Sequence, residues 1–144
     1  MLEISYFNPV VEDWTEECQR EEERQKEICD YHLYVITPRM AGFFSIAEVV
    51  DSSNKNPKGT ILCVLKEDMG NLPRTTVSFG KAPLKSLDAV KHMVLTNGAY
   101  VFDNLEAVAE LLNTSIMENN VKEITSGTIK THMTDNLIEA LRGI

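Results

Sequence analysis

The segment CDYHLYVITPRMAGFFSIAEVVD, from Cys29 to Asp51, decides the fold of this chain. Tyr31 to Ile36 is a short apolar run typical of a buried strand, and a proline and a glycine, Pro38 and Gly42, interrupt the loop after it. A helix is predicted from Ser45 to Asp51, with Ser45 as its N-cap. A strand, a loop and a helix in this order indicate an α/β unit.

Further segments fit the same scheme. The other strand candidates are short and apolar on both faces, as expected in a parallel sheet covered by helices: Ile4–Phe7, Thr60–Leu65, Thr76–Phe79 and Tyr100–Phe102. The predicted helices are an acidic one from Asp13 to about Asp30, one with the stripe Leu84, Leu87, Val90 and Val94 before Asn97-Gly98, and one with the stripe Leu105, Val108, Leu111 and Leu112. We therefore predict an α/β fold, a flavodoxin-like or Rossmann-like three-layer sandwich with a mostly parallel central sheet of about four or five strands.

The chain changes character after Thr114. Residues 1–114 are predicted to form the α/β domain, whereas residues 115–144 carry few large apolar side chains before a short helix at Leu137–Ile144. We interpret residues 115–144 as a C-terminal extension, either an arm that serves oligomerisation or a loosely held tail.

Composition excludes several kinds of function. The formal charge of -8 argues against nucleic-acid polymers and anionic membranes as partners, and no apolar run is long enough to span a bilayer. Three cysteines without a CxxC pair indicate no disulfide framework, and the histidines lack metal-ligand spacing. Without a glycine-rich phosphate loop or a secretory leader, we expect a cytoplasmic protein that uses no metal and no cofactor.

Carboxylates remain as the candidate chemical groups. Glu48 lies among apolar residues just after the loop that follows a strand, a place where α/β sheets collect their chemistry. The alternative is that Glu48 lies on the solvent face of an amphipathic helix. Glu22 lies eight residues, about 12 Å along a helix axis, before Asp30, towards the edge where Asn8 is expected. Two carboxylates at an uncharged pocket suit glycosyl transfer at a sugar carbon.

The sequence also resembles a known family. The succession YFNPVVEDW, an acidic helix ending in CD, LYVITP and a helix with an interior Glu, SIAEVVD, is similar to the nucleoside 2-deoxyribosyltransferases, and most to their small bacterial and phage-type branch. The resemblance covers roughly residues 4–112. It implies a flavodoxin-like layout and exchange or hydrolysis of an N-glycosidic bond through a glutamate nucleophile, without metal or coenzyme.

Residue by residue, the resemblance implies that Glu48 is the nucleophile. Glu22 falls where the family has an Asp near the sugar, and Glu21 or Glu23 takes its place if the helix register differs. Substrate contacts are expected from the following residues: Asn8, Met40, Gly42 and Ser45.

The sequence departs from the family in three places. The family's first strand is missing before Ile4, Gly42 stands where some members have a base-binding Asp, and Ala47 to Val50 replace a common Glu-Leu-Gly run. Two alternatives follow: a protein that binds a nucleotide-like metabolite without cleaving it, and a relative that hydrolyses NAD or a nucleotide. A homodimer or higher homo-oligomer is expected in each case, because a sheet that begins late leaves an edge strand to be covered.

Overall fold

Strand β2 (Tyr31–Ile36) is buried along most of its length, as its apolar run predicts. The computed structural model describes residues 4–72, 75–123 and 130–132, with side chains for 4–72 and 75–115. The strands are β1 (Ser5–Phe7), β2 (Tyr31–Ile36), β3 (Thr60–Val64), β4 (Glu67–Asp68), β5 (Val77–Ser78), β6 (Tyr100–Phe102) and β7 (Lys130–His132). The helices are α1 (Glu16–Ile28), α2 (Phe44–Lys55), α3 (Lys81–Thr96) and α4 (Leu105–Glu123), with a 3-10 turn at Pro57–Gly59.

Five strands share one sheet in the order β1-β7-β2-β3-β6. The pairs β1 with β7, β7 with β2, and β3 with β6 are parallel. A hydrogen bond from the Leu65 N–H to the Ile36 carbonyl, 2.9 Å long, joins the chain just after β3 to the end of β2. The predicted α/β class with a mostly parallel sheet is confirmed, and it is compatible with flavodoxin-like or Rossmann-like layering.

The chain divides into two compact units. Unit 1 contains Met1–Leu33 and Leu105–Ile144, and unit 2 contains Tyr34–Asn104, so that β2 contributes residues to both. The predicted division after residue 114 falls inside α4, which continues to Glu123. The short helix predicted at Leu137–Ile144 lies outside the described residues.

Unit 2 packs its strands against α2 and α3. Alternate strand residues and every third or fourth helix residue supply the core, as the periods of the two structures require. The core side chains are Tyr34, Ile36, Val49, Leu62, Val64, Leu87, Val94 and Ala99. Helix α3 ends as predicted at Asn97-Gly98, where Gly98 has a φ of +94° that other residues rarely adopt.

Hydroxyls and amides fill the end of unit 2 at which β3 begins. Ser52 Oγ lies 2.7 Å from Thr60 Oγ1, which donates a 2.7 Å hydrogen bond to the Asn56 carbonyl. Asn97 Nδ2 donates to Ser53 Oγ over 2.9 Å and joins α3 to α2. Because these hydroxyls and amides satisfy one another, this end of unit 2 has a structural role.

Unit 1 places two helices on opposite faces of its strands. The Tyr31 hydroxyl donates to Ser115 Oγ on α4 over 2.9 Å, whereas the neighbouring His32 hydrogen-bonds the backbone of Lys26 on α1. Successive residues of a strand point to opposite faces, so α1 and α4 cover different sides of β2 in this unit. The buried stripe of α4 contains Val108, Ala109 and Leu112.

Strand β7 lies between β1 and β2, although it is the last described strand in the chain. Thr131 is in register with Tyr6 on one side and with Tyr31 on the other. If β7 is counted as the first strand, the order reads 2-1-3-4-5, which is the flavodoxin-like order. The sequence analysis expected the family's first strand to be missing beside Ile4–Phe7. Strand β7 takes that place in the sheet, although its few apolar residues did not predict a strand.

Two elements differ from the expectation in their bounds or their pairing. Helix α1 begins at Glu16 rather than near Asp13, because the Thr15 side chain caps it by accepting the Cys18 N–H over 3.2 Å. The expected strand Thr76–Phe79 shortens to β5, which pairs antiparallel with β4 in a separate two-stranded sheet.

Burial of His32 predicts a pH-dependent stability. The side chain is 7% exposed, and burial lowers the pKa of His32 below its ordinary 6.5, an effect that the hydrogen bond to the Lys26 backbone partly offsets. The unfolded chain therefore takes up a proton more readily than the folded protein. The contribution of His32 to the free energy of unfolding is complete above about pH 6.5. It declines as the pH falls towards the lowered pKa, by at most about 1.4 kcal/mol per pH unit.

Urea unfolding at pH 7.0, 6.25 and 5.5 measures this decline. His32→Gln should flatten the dependence, whereas the control His92→Gln, at an exposed position, should leave it unchanged. Equal slopes for the wild type and His32→Gln would show that His32 does not carry the effect.

Candidate functional site

The loop after β2 is fixed by Thr37. This residue is 4% exposed, its hydroxyl accepts the Arg39 N–H over 3.2 Å, and its carbonyl accepts the Met40 N–H over 3.1 Å. The backbone therefore turns sharply at the carboxyl end of β2, the edge at which α/β sheets bind ligands. Met40, predicted to contact substrate, is half-buried against the core of unit 2.

Helix α2 starts one residue earlier than predicted. Phe43 is the N-cap and makes no side-chain capping hydrogen bond, so the proposed N-cap role of Ser45 is wrong. Ser45 instead lies in the first turn and is exposed. A Cβ atom at Gly42 would meet no atom within 4 Å, so this position is open to a ligand or to a larger side chain.

Glu48 follows one turn later on α2. The side of α2 that faces the core carries Ile46, Val49, Val50 and Ser53, and Glu48 lies off this stripe. A carboxylate in that position is ordinarily solvated, yet Glu48 is half-buried. Groups outside the core stripe of α2 therefore cover part of its surface. Ser45, three residues earlier on the same helix, is exposed, whereas the Ser52 hydroxyl four residues later is buried against Thr60.

Arg39 connects the loops that follow β2 and β3, a feature that the sequence analysis missed. Its Nε lies 3.3 Å from Asp68 Oδ2, and its Nη2 donates to the Thr75 carbonyl. Asp68 Oδ1 also accepts the Gly70 N–H over 2.9 Å, and Thr75 Oγ1 donates to the Leu72 carbonyl over 2.6 Å. These bonds hold the two loops together at the carboxyl edge of unit 2.

Gly70 is required by this connection. Its φ is +62°, and a Cβ atom there would lie 2.5 Å from Thr75 Oγ1 and 2.7 Å from Arg39 Nη2. We expect Gly70→Ala to lower the free energy of unfolding by about 1 to 2 kcal/mol, through the left-handed backbone and the displaced arginine. Urea denaturation measures the loss. Gly42→Ala is the matched control and should change stability by less than about 0.5 kcal/mol. Equal stability of the two variants would contradict the role given to Gly70.

Two predicted site residues lie in unit 1. Glu22 is 17% exposed and forms a 2.7 Å ion pair with Lys26, a contact that the i,i+4 spacing on a helix favours. Asn8 accepts the Val10 N–H over 3.2 Å and thereby supports the turn after β1. Both contacts are structural, and the segment from Met40 to Glu48 in unit 2 brings together the other four predicted residues.

The two units differ in charge. Unit 1 carries 6 Lys/Arg and 16 Asp/Glu, giving -10, whereas unit 2 carries 8 and 6, giving +2. The acidity of the whole chain therefore does not extend to the unit that holds Glu48. A phosphate-bearing ligand meets no net repulsion from unit 2 itself.

Within the described residues, no group of three His, Cys, Asp or Glu side chains is arranged to hold a metal ion. Across the same ranges, no helix combines the length and the apolar character needed to cross a membrane.

Comparisons of this chain with protein-family models, with curated proteins and with solved structures find no significant match.

Proposed function

We propose that this protein cleaves or exchanges the N-glycosidic bond of a deoxynucleoside or a deoxynucleotide, with Glu48 as the nucleophile. The observation that carries the proposal is the half-burial of Glu48 away from the core stripe of α2, next to the carboxyl edge of the sheet. A carboxylate that is partly shielded from water is suited to attack a sugar carbon.

The proposed reaction has two displacement steps. A Glu48 carboxylate oxygen forms a bond to C1′ of the sugar while the bond from C1′ to the base nitrogen breaks. The electron pair of that bond goes to the base, which takes up a proton as it leaves. A second base or a water molecule then attacks C1′, loses its proton and releases the Glu48 carboxylate. No metal or coenzyme is needed for either step.

A chromatographic assay tests this function directly. The protein is mixed with deoxyadenosine and free cytosine, and the products are separated. Deoxycytidine shows transfer, and free adenine without deoxycytidine shows hydrolysis. Intact mass spectrometry after rapid quenching should show an added deoxyribosyl group on the protein. Recovery of intact deoxyadenosine alone, with no added mass, would overturn the proposal for this substrate class.

The second candidate is a protein that binds the same class of ligand and leaves it intact. It is favoured by Gly42, which offers no side chain where some members of the resembling family have a base-binding Asp. Calorimetric binding of deoxyadenosine without any turnover would support it. Addition of NAD to the same assay tests the hydrolysis of a nicotinamide nucleotide.

We also propose a cytoplasmic homodimer or higher homo-oligomer. Strand β1 stands at one end of the strand order of the described sheet, and Tyr6 on it is 45% exposed. Self-association is a common way to cover such an edge. Light scattering of the full chain gives its mass in solution, and a monomer mass would refute the association.

A further inference from the structure

Two consecutive phenylalanines are exposed where α2 begins. Phe43 is 79% exposed and Phe44 is 76% exposed, although the core of unit 2 takes its α2 side chains from Ile46, Val49 and Val50. Neither ring is needed to fill that core. Single exposed apolar residues are common, whereas two adjacent exposed rings form an apolar surface of the kind that binds ligands or partners.

Helix geometry separates the roles of the two rings. Phe44 precedes Glu48 by four residues, which places the two side chains one turn apart on the same face, with Cβ atoms about 5–6 Å apart. Phe43 precedes Glu48 by five residues and, as the N-cap, points elsewhere around the helix axis. An aromatic face and a carboxylate therefore share one side of α2, and only Phe44 supplies that face.

This spacing fits the two halves of a nucleoside. A reacting sugar carbon lies about 3–3.5 Å from the attacking oxygen, and the base begins one bond further on. A base whose sugar is held at Glu48 can therefore reach a ring one helical turn away. Aromatic side chains bind bases through their flat faces with little preference for sequence or base type.

We infer that Phe44 is the stacking surface for the planar base of the substrate, and that it positions the glycosidic bond against Glu48. The inference rests on the proposed function and deepens it, because it names the side chain that binds and orients the base of the substrate. Phe44 is a binding residue in this scheme and takes no part in bond breaking. Sugars without a base make no stacking contact with Phe44, so their affinity does not depend on this residue.

The test uses the full-length protein and isothermal titration with deoxyadenosine, with 2-deoxyribose as the base-free probe. Phe44→Ala should weaken the binding of deoxyadenosine at least about tenfold, and Phe44→Tyr should restore it. The matched control Phe43→Ala should bind within about twofold of the wild type. Affinity for 2-deoxyribose should be the same in all four proteins. Circular dichroism verifies that each variant is folded.

Different outcomes separate this inference from the proposed function. Loss of binding in Phe44→Ala, with no turnover by the wild type, supports the stacking surface and refutes the enzyme. Turnover that depends on Glu48, with equal deoxyadenosine affinity in Phe44→Ala and the wild type, refutes the stacking surface alone. A lower mass of Phe44→Ala in light scattering, with unchanged nucleoside affinity, would assign the ring to a contact between copies and overturn the inference.

Discussion

Replacement of Glu48 by glutamine is expected to reduce base exchange at least about 10³-fold while the protein stays folded. The amide keeps the shape of the carboxylate but cannot form the bond to C1′, so the first displacement fails. Glu48 lies off the core stripe of α2, and its replacement therefore leaves the packing of Ile46 and Val49 intact. The measurement is the initial rate of deoxycytidine formation from deoxyadenosine and cytosine.

A second acidic residue on the same helix provides the matched control. Asp51 is exposed and pairs with Lys55 over 2.6 Å, so Asp51→Asn should keep the wild-type rate. The truncated variant Glu48→Ala leaves space for a small anion, and added azide should restore part of the sugar cleavage. Wild-type rates in both Glu48 variants would show that Glu48 is not the nucleophile.

Replacement of Thr131 in β7 by proline is expected to cause the largest loss of stability. Thr131 is in register with Tyr6 in β1 and Tyr31 in β2, so a proline at this position disrupts a strand that is paired on both sides. Proline removes the backbone N–H and is tolerated only at strand edges or bulges. We expect Thr131→Pro to lower the free energy of unfolding by about 3 kcal/mol or more, or to prevent folding.

Two controls make this result specific to β7. Thr131→Val keeps the N–H and the branched shape and should stay within about 1 kcal/mol of the wild type. Lys81→Pro places proline at the first position of α3, where the ring is accommodated, and should be close to neutral. Urea denaturation followed by circular dichroism gives the stabilities. A Thr131→Pro protein that unfolds at the wild-type midpoint would show that residues 130–132 do not form an internal strand of the sheet.

Only part of the candidate site could be predicted from the sequence. The loop and helix after β2, with Glu48 one turn into the helix, follow from the local order of apolar run, Pro38, Gly42 and helical pattern. The ion pair of Arg39 with Asp68 joins residues far apart in the chain, and no local pattern reveals it. Phe44 carried a signal in the sequence, an aromatic residue four positions before Glu48, but its exposure required the structure.

The inner face of α1 shows how tertiary contacts override a pattern. The few apolar residues of this segment, Trp14, Cys18 and Ile28, predict a thin buried stripe, but Trp14 and Ile28 are 56% and 40% exposed. The buried residue is instead Gln25, whose amide donates to Glu21 over 2.7 Å and whose carbonyl accepts from Cys29. A helix with so few apolar residues is oriented by what it packs against, and not by its own hydrophobic pattern.

Local patterns of residues specify β2, β3, β6 and the buried stripes of α3 and α4, because short apolar runs and helical periods are local properties with one favourable environment. Tertiary structure alone decided that β7 lies between β1 and β2, and that Arg39 joins two loops. Three residues with little apolar surface form an internal strand only when the strands on both sides offer backbone N–H and carbonyl groups for pairing. That pairing depends on chain segments about a hundred residues away, which no pattern within β7 encodes.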